Sequence, residues 1–292
     1  MNKSKLEFLA AMLIFGTIGL FRRSIPFPSS LIAASRGFIG TLFLLIFLKM
    51  THQKLSWTKI KKNLLPLIIS GTLMGFNWIL LFESYNYTSV AVSTVCYYMA
   101  PIFVILAAPV LFQEPLTKKK VICSLAALAG ILLVSGIFDT AFTGFQEMKG
   151  VVFGLSAAIL YASVILINKK LTDIEAFDRT VLQLGTSALV LFPYTFMIEN
   201  LTSLELNGTV LLLLFITGIV HTGVAYALYF HSIKGLKTET IAVYSYIDPM
   251  SAILFSAIFL QENISFNEII GMILILGAAL LSEFQIKTKT MK

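Results

Sequence analysis

A helix must run for about 20 mainly apolar residues to cross the hydrocarbon layer of a bilayer. By that measure the sequence holds ten crossing segments, at 6–23, 29–48, 64–84, 88–112, 121–138, 150–168, 178–198, 209–231, 239–260 and 267–285. Lipid offers a backbone no hydrogen-bond partner, so runs of this length are predicted as helices. The longest connection, between the second and third runs, is a basic linker around Trp57, and no segment outside the runs is long enough for a folded domain. Composition agrees: of 292 residues 57% are hydrophobic and 13% charged, and mean hydropathy is +0.87. No ordinary water-soluble domain approaches that. The fold class predicted is an all-α integral membrane protein.

The formal net charge of +7 does not point to nucleic acid, because Lys and Arg are scattered between apolar runs rather than gathered in a stripe. They order the topology instead, since basic residues accumulate on the cytoplasmic side. With the N-terminus inside, Lys3, Lys5, Lys49, Lys54, Lys59, Lys61, Lys62, Lys118, Lys119, Lys120, Lys169, Lys170, Arg179, Lys234, Lys237, Lys287, Lys289 and Lys292 are cytoplasmic, eighteen of the 22 basic residues. Arg22, Arg23 and Lys149 lie outside and Arg36 within a span. The expectation is a multi-pass protein of the cell membrane with both termini cytoplasmic. The N-terminal run is read as the first span and not as a signal peptide, because Arg22-Arg23 ends it without a small-x-small cleavage site. Cys96 and Cys123 fall inside apolar runs with no zinc-ligand spacing, so they read as packing residues, and neither metal nor cofactor is expected.

The chain is also written twice. An offset of 148 pairs Val95 with Val243, Tyr98 with Tyr246, Pro101 with Pro249, Ile105 with Ile253, Gln113 with Gln261 and Glu114 with Glu262; upstream it pairs Gly75, Phe82 and Ser84 with Gly223, Phe230 and Ser232. The pairing divides the chain into two units, residues 1–145 and 146–292, each with five spans. Five is odd, so the second unit enters the membrane from the opposite side. Inverted repeats are the architecture of alternating access, in which two near-equal packings of one unit exchange roles. Glu114 and Glu262, each just before a short turn, are expected to cap the following helix or lock that turn. Gly71-x-x-x-Gly75 and Gly150-x-x-x-Gly154 have the spacing of close helix packing.

Ten spans in two inverted halves, with Ser35-Arg36-Gly37 in span 2, Tyr98-x-x-Pro101 and Gln113-Glu114-Pro115-Leu116-Thr117 in the first half, and Asp248-Pro249 with Gln261-Glu262 in the second, resemble the drug/metabolite transporter superfamily, specifically its EamA-type members. The resemblance covers nearly the whole chain. Family members often carry a Trp-Gly pair in span 1 where this chain has Phe15-Gly16. The resemblance implies a secondary transporter of small metabolites, frequently amino acids or related amines, often directed outward.

Ionisable residues at mid-bilayer are expensive and face a partner or an aqueous cavity. Asp248 lies about ten residues into span 9, roughly 15 Å at 1.5 Å per residue, near the midplane. Thr240, Tyr244, Asp248 and Ser251 recur on one helical face, and Pro249 frees a backbone carbonyl in the same turn. Two readings stand: a site carboxylate, or a structural hydrogen bonder. Arg36, some seven residues below the outer surface in span 2, is close enough to snorkel outward, and packing, gating or substrate carboxylate binding are open to it. Its echo is Gln183. Candidate substrate-binding residues are Asp248, Tyr244, Tyr98, Tyr97, Asn77, Trp78, Tyr226, Tyr161 and Arg36, the aromatic members offering faces for organic cations or flat groups. Proton-coupling candidates are Asp248, Glu83 and His221.

The leading reading is a carrier of small metabolites, with protons as possible coupling partners and no nucleic acid. An organic cation or nucleobase carrier is the alternative within one fold, and a passive channel or lipid scramblase a more distant one. An intramembrane enzyme would need a nucleophile, base or metal constellation; no His-Glu-x-x-His, Gly-x-Ser-x-Gly or facing pair of membrane aspartates occurs, and no Gly-x-x-x-x-Gly-Lys-Ser/Thr pattern for ATP.

Overall fold

Prolines and glycines decide where the long apolar helices break and how closely they approach. The computed structural model describes residues 3–113, 116–134, 145–204 and 207–283. Among them the helices are α1 (Lys3–Gly16), α2 (Ile18–Arg23), α3 (Ser29–Met50), α4 (Trp57–Lys62), α5 (Leu64–Tyr87), α6 (Val90–Tyr97), α7 (Ala100–Phe112), α8 (Lys118–Val134), α9 (Phe145–Lys170), α10 (Ala176–Ile198), α11 (Gly208–Gly218), α12 (Ala225–Ile233), α13 (Thr238–Ser245), α14 (Ile247–Phe259) and α15 (Phe266–Glu283). A π turn, Ile219–Val224, joins α11 to α12. Among the described residues seven stretches are long and apolar enough to cross a membrane: Lys3–Arg23, Ser29–Met50, Leu64–Tyr87, Val90–Phe112, Phe145–Lys170, Ala176–Ile198 and Gly208–Ile233. Val243–Phe259, interrupted at Tyr246, and Phe266–Ser282 are shorter apolar stretches, and α8 has 17 residues.

Two breaks fall where the repeated prolines require them. Pro101 enters the first turn of α7 and has no N–H for the Tyr97 carbonyl, so the helix interrupts at Tyr98 and Met99. Pro249 does the same to the Ser245 carbonyl, and the interruption falls on Tyr246. Gln113 (φ 56°) and Gln261 (φ 53°) both turn through the left-handed region after these helices. The two prolines, the two tyrosines and the two glutamines are each 148 residues apart.

Helix packing has the same balance. α1 lies against α12 and α14, as α9 lies against α5, α6 and α7; α3 packs on α10, and α8 on α15. Gly71 and Gly75 receive Gln183, Thr186, Ser187 and Leu191 of α10, while Gly150 and Gly154 receive Thr88 and Cys96, so the glycine spacings serve close approach as predicted. Cys96 and Cys123 are buried free thiols within the packing. The basic linker is fastened down: Ile60 is buried among Leu67, Leu171 and Ile174, and the Ser56 amide donates to Asp178 at 3.1 Å. Asn63 Nδ2 donates to Asp173 at 3.1 Å, with Lys62 3.6 Å from the same carboxylate.

Glu262 departs from its expected role. The start of α15 is closed by a reciprocal pair, in which the Ser265 amide donates to Glu268 at 2.6 Å and the Glu268 amide to Ser265 Oγ at 3.2 Å. Glu262 instead accepts from the amides of Val90 (2.9 Å) and Ala91 (3.4 Å) at the start of α6, with Arg23 at 3.5 Å. The physical reason is the buried first turn of α6, where the Val90 and Ala91 N–H groups have no partner within the helix and no access to water, so that they and the positive dipole end draw a carboxylate more strongly than the start of α15, already closed by its own pair. Glu114 lies outside the described residues.

Candidate functional site

The two helix breaks bring their tyrosines together, with ring centroids of Tyr98 and Tyr246 6.3 Å apart. At that junction the Tyr98 hydroxyl donates to Asp248 Oδ2 at 2.6 Å, the short geometry of a charge-assisted bond. Asp248 Oδ1 accepts no hydrogen bond among the described residues, and the side chain is half-buried. α1 permits this arrangement through Gly16: a Cβ there would run into Ser251 Oγ and stand 2.8 Å from the Asp248 carbonyl oxygen. Of the predicted polar stripe on span 9, Ser251 remains beside Asp248 by donating to its carbonyl at 2.9 Å. Tyr244 does not; the break at Tyr246 separates it, and it packs with Phe8, Ala11 and Met12 of α1.

Around Tyr97 a second group assembles. Its ring stacks on Tyr161 at 5.1 Å and 19°, meets Tyr98 edge-on at 6.2 Å, and its hydroxyl donates to Asn77 Oδ1 at 3.3 Å. Asn77 is fixed from its other end, Nδ2 donating to the Ala157 carbonyl at 2.6 Å. Tyr226 packs edge-on against Phe15, the residue standing in the expected Trp-Gly position. Tyr97 and Tyr226 both rest on the core cluster that contains Trp78.

Arg36 does not snorkel. It is 5% exposed, its guanidinium lies 4.2 Å above the Trp78 ring and 5.7 Å from Phe82, and Nε donates to Thr222 Oγ1 at 3.0 Å. The indole face and the hydroxyl offset the desolvation that would otherwise drive the side chain outward. Among the described residues neither Nη carries a hydrogen bond and the charge has no ion pair. Gln183, its echo, donates to Ser70 and Asn168, each at 2.7 Å.

The proton-coupling candidates separate. His221 is buried beside Arg36's partner Thr222, its Nε2 2.8 Å from Thr17 Oγ1 and its ring 4.6 Å from Phe21. Thr17 gives its own proton to the Ile14 carbonyl, so Nε2 must donate; Nδ1 stands 3.4 Å from the Ile216 carbonyl, an acceptor for a second ring proton. Glu83 lies apart, accepting from Ser29 (2.7 Å) and Asn86 (3.1 Å) in a network that Arg22 joins through the same two residues. Thr222, Thr17 and this Arg22 network escaped sequence reasoning, because hydroxyls and amides are ordinary in spans and only the fold shows which charge they meet. Among the described residues no three His, Cys, Asp or Glu side chains are grouped to hold a metal.

The EamA-like transporter family model matches residues 4–136 and again 148–284. The chain belongs to the EamA-like transporter family. This EamA-like protein is 27% identical over 277 residues to the uncharacterized transporter YxxF of Bacillus subtilis, covering 95% of this chain and 88% of that one. It is 25% identical over 285 residues to an uncharacterized transporter of Archaeoglobus fulgidus, covering 97% of each. A crystal structure of a protein 19% identical to it superposes with a TM-score of 0.64 over 96% of each chain, a likeness of fold. The EamA-like chain is thus a multi-pass membrane transporter, and its family and relatives are transporters rather than enzymes.

Proposed function

We propose that this transporter is a secondary active carrier that moves small metabolites, amino acids or related amines foremost, outward across the cell membrane by alternating access. Ten crossings in two inverted five-helix units, residues 1–145 and 146–292, form its frame. The paired breaks at Tyr98 and Tyr246, the paired left-handed Gln113 and Gln261, and the helix contacts that persist when the halves are exchanged support that frame.

One observation carries the substrate reading. Two opposite charges, Arg36 and Asp248, sit within one group of side chains without pairing with each other; each is held by a neutral partner and keeps free valence, the Nη groups of one and Oδ1 of the other. Opposite charges with restricted access to water that are left apart forgo Coulomb energy unless a ligand completes them. A carboxylate on Arg36 and an ammonium on Asp248, beside the stacked Tyr97–Tyr161 pair as one flat wall, completes both. A second reading, an organic cation or nucleobase carrier, draws on the parallel Tyr97–Tyr161 pair and on Asp248 alone.

Thermal stabilisation of the purified protein against amino acids, amines and nucleobases separates these readings. A ligand at a hundredfold its Kd adds about 2.7 kcal/mol to the folded state. Amino acids are expected to raise Tm and the corresponding decarboxylated amines to do so less; amines that stabilise equally well would move the assignment to the second reading. Saturable counterflow of the stabilising ligand in proteoliposomes then distinguishes a carrier from a channel.

A further inference from the structure

Ile219–Val224 departs from α geometry at the helix that faces Arg36. Thr222 Oγ1 donates to the carbonyl of Thr217, five residues back, at 3.1 Å, and His221 Nδ1 faces the carbonyl of Ile216, also five back. A π turn inserts one residue and rotates the helix beyond it, and such turns gather at functional sites. α3 and the π turn meet with no room between them: a Cβ on Gly40 would run into the Thr222 side chain, and one on Gly218 into Ile39. Gly40 lies four residues after Arg36, on the same face of α3. The first half gives the contrast, since residues 71–76, the segment 148 positions earlier, continue as regular helix in α5 and carry Met74 where Thr222 stands. The irregular turn therefore occurs opposite the arginine and not opposite its echo, Gln183.

We propose that the π turn serves to seat Thr222 as the positioning residue of Arg36. With its own proton committed to the Thr217 carbonyl, the hydroxyl can only accept, and what it accepts is the Nε proton; that bond holds the guanidinium over Trp78 and leaves both Nη groups to present a planar fork to a carboxylate. This rests on the assignment of Arg36 to the anionic end of the substrate. Without the hydroxyl the charge remains but its direction is lost, and bidentate recognition depends on direction.

A ligand-free readout exists because the chain has two tryptophans, Trp78 and the exposed Trp57 on the linker. In full-length Trp57→Phe protein, the emission maximum and acrylamide quenching of Trp78 report the guanidinium above it. Arg36→Met sets the scale for its complete removal. Thr222→Val and Thr222→Ala, two hydroxyl-free variants of different bulk, are expected to move both signals at least half as far as Arg36→Met, whereas Thr222→Ser stays with the parent. Hydroxyl-free variants that keep the parental Trp78 signals would overturn the proposal, and so would an Arg36→Met protein indistinguishable from the parent. Counterflow of labelled amino acids is the second arm, with KM expected to rise about tenfold in Thr222→Val at little change in the maximal rate, the size of a lost hydrogen bond to a charge. Should Arg36→Met alter the fluorescence but not counterflow, the substrate assignment of Arg36 fails while the positioning of its guanidinium by Thr222 stands.

Discussion

Single atoms decide the chemistry at Asp248. Asp248→Asn keeps the shape and the Tyr98 contact but removes the charge. If Asp248 binds the substrate ammonium, the variant is expected to lose both binding and exchange; if it carries the coupling proton, exchange persists and only acceleration by a pH gradient is lost. A variant that binds and transports like the parent would leave Asp248 a structural hydrogen bonder. Gly16 is the steric counterpart. Because a Cβ there meets Ser251 Oγ and the Asp248 carbonyl oxygen, Gly16→Val is expected to cost about 1–3 kcal/mol, read as a lowered Tm, and to weaken substrate binding by displacing α14. At this scale the sequence was a partial guide. Charge at mid-span marked Asp248 and Arg36, since an apolar run makes any ionisable residue conspicuous. Their partners were not visible: the Tyr98 bond requires the breaks of α6 and α13 to face each other, and Thr222 looks like any other span threonine until the π turn aims it.

Helix ends are where elements join. The first three amides of α6 are all satisfied, Val90 and Ala91 by Glu262 and Val92 by Ser89 Oγ at 3.0 Å. Glu262→Ala removes a charged cap and is expected to destabilise by about 1–2 kcal/mol, with faster hydrogen exchange at Val90 and Ala91 than at Val92; uniform exchange across the turn would argue that the cap is dispensable. At the linker, the Asp173 carboxyl is held below the ordinary aspartate range, first by the Asn63 hydrogen bond, then by a hydrogen bond from its own backbone amide and by the nearby Lys62 charge. A depressed carboxyl contributes stability that is complete above its unfolded value of about 3.9 and is lost as pH falls through the lower folded value. Asp173→Asn is therefore expected to change Tm at pH 7 and to converge on the parent in strong acid. Proline, glycine and apolar run length make most of the helices readable in the sequence. The cap of α6 was not, because its donors and acceptor are 172 residues apart and local spacing pointed Glu262 toward its own turn.

On the scale of the whole molecule, the proposed inversion makes two positions diagnostic. Tyr98 and Tyr246, each three residues before its proline, are expected to react as cysteines to different extents in inward-open and outward-open protein; equal labelling in both states would favour a static pore. Reporters fused at Lys118–Lys120 and at Lys292 are both expected to read cytoplasm, and an outside signal at either would remove the inversion. The Glu262 contact also sets a clock for synthesis. α6 leaves the ribosome long before residue 262 is made, and at about 5–20 residues per second its first turn waits roughly 10 to 35 s for the carboxylate that completes it. A nascent chain stalled before residue 262 thus holds a helix start with its Val90 and Ala91 amides uncapped in a half that is otherwise fully translated. Factors that hold incomplete membrane chains have that interval in which to act, and cross-linking to residues 88–92 in stalled chains should disappear once the stall is moved far enough past residue 262 for it to clear the exit tunnel.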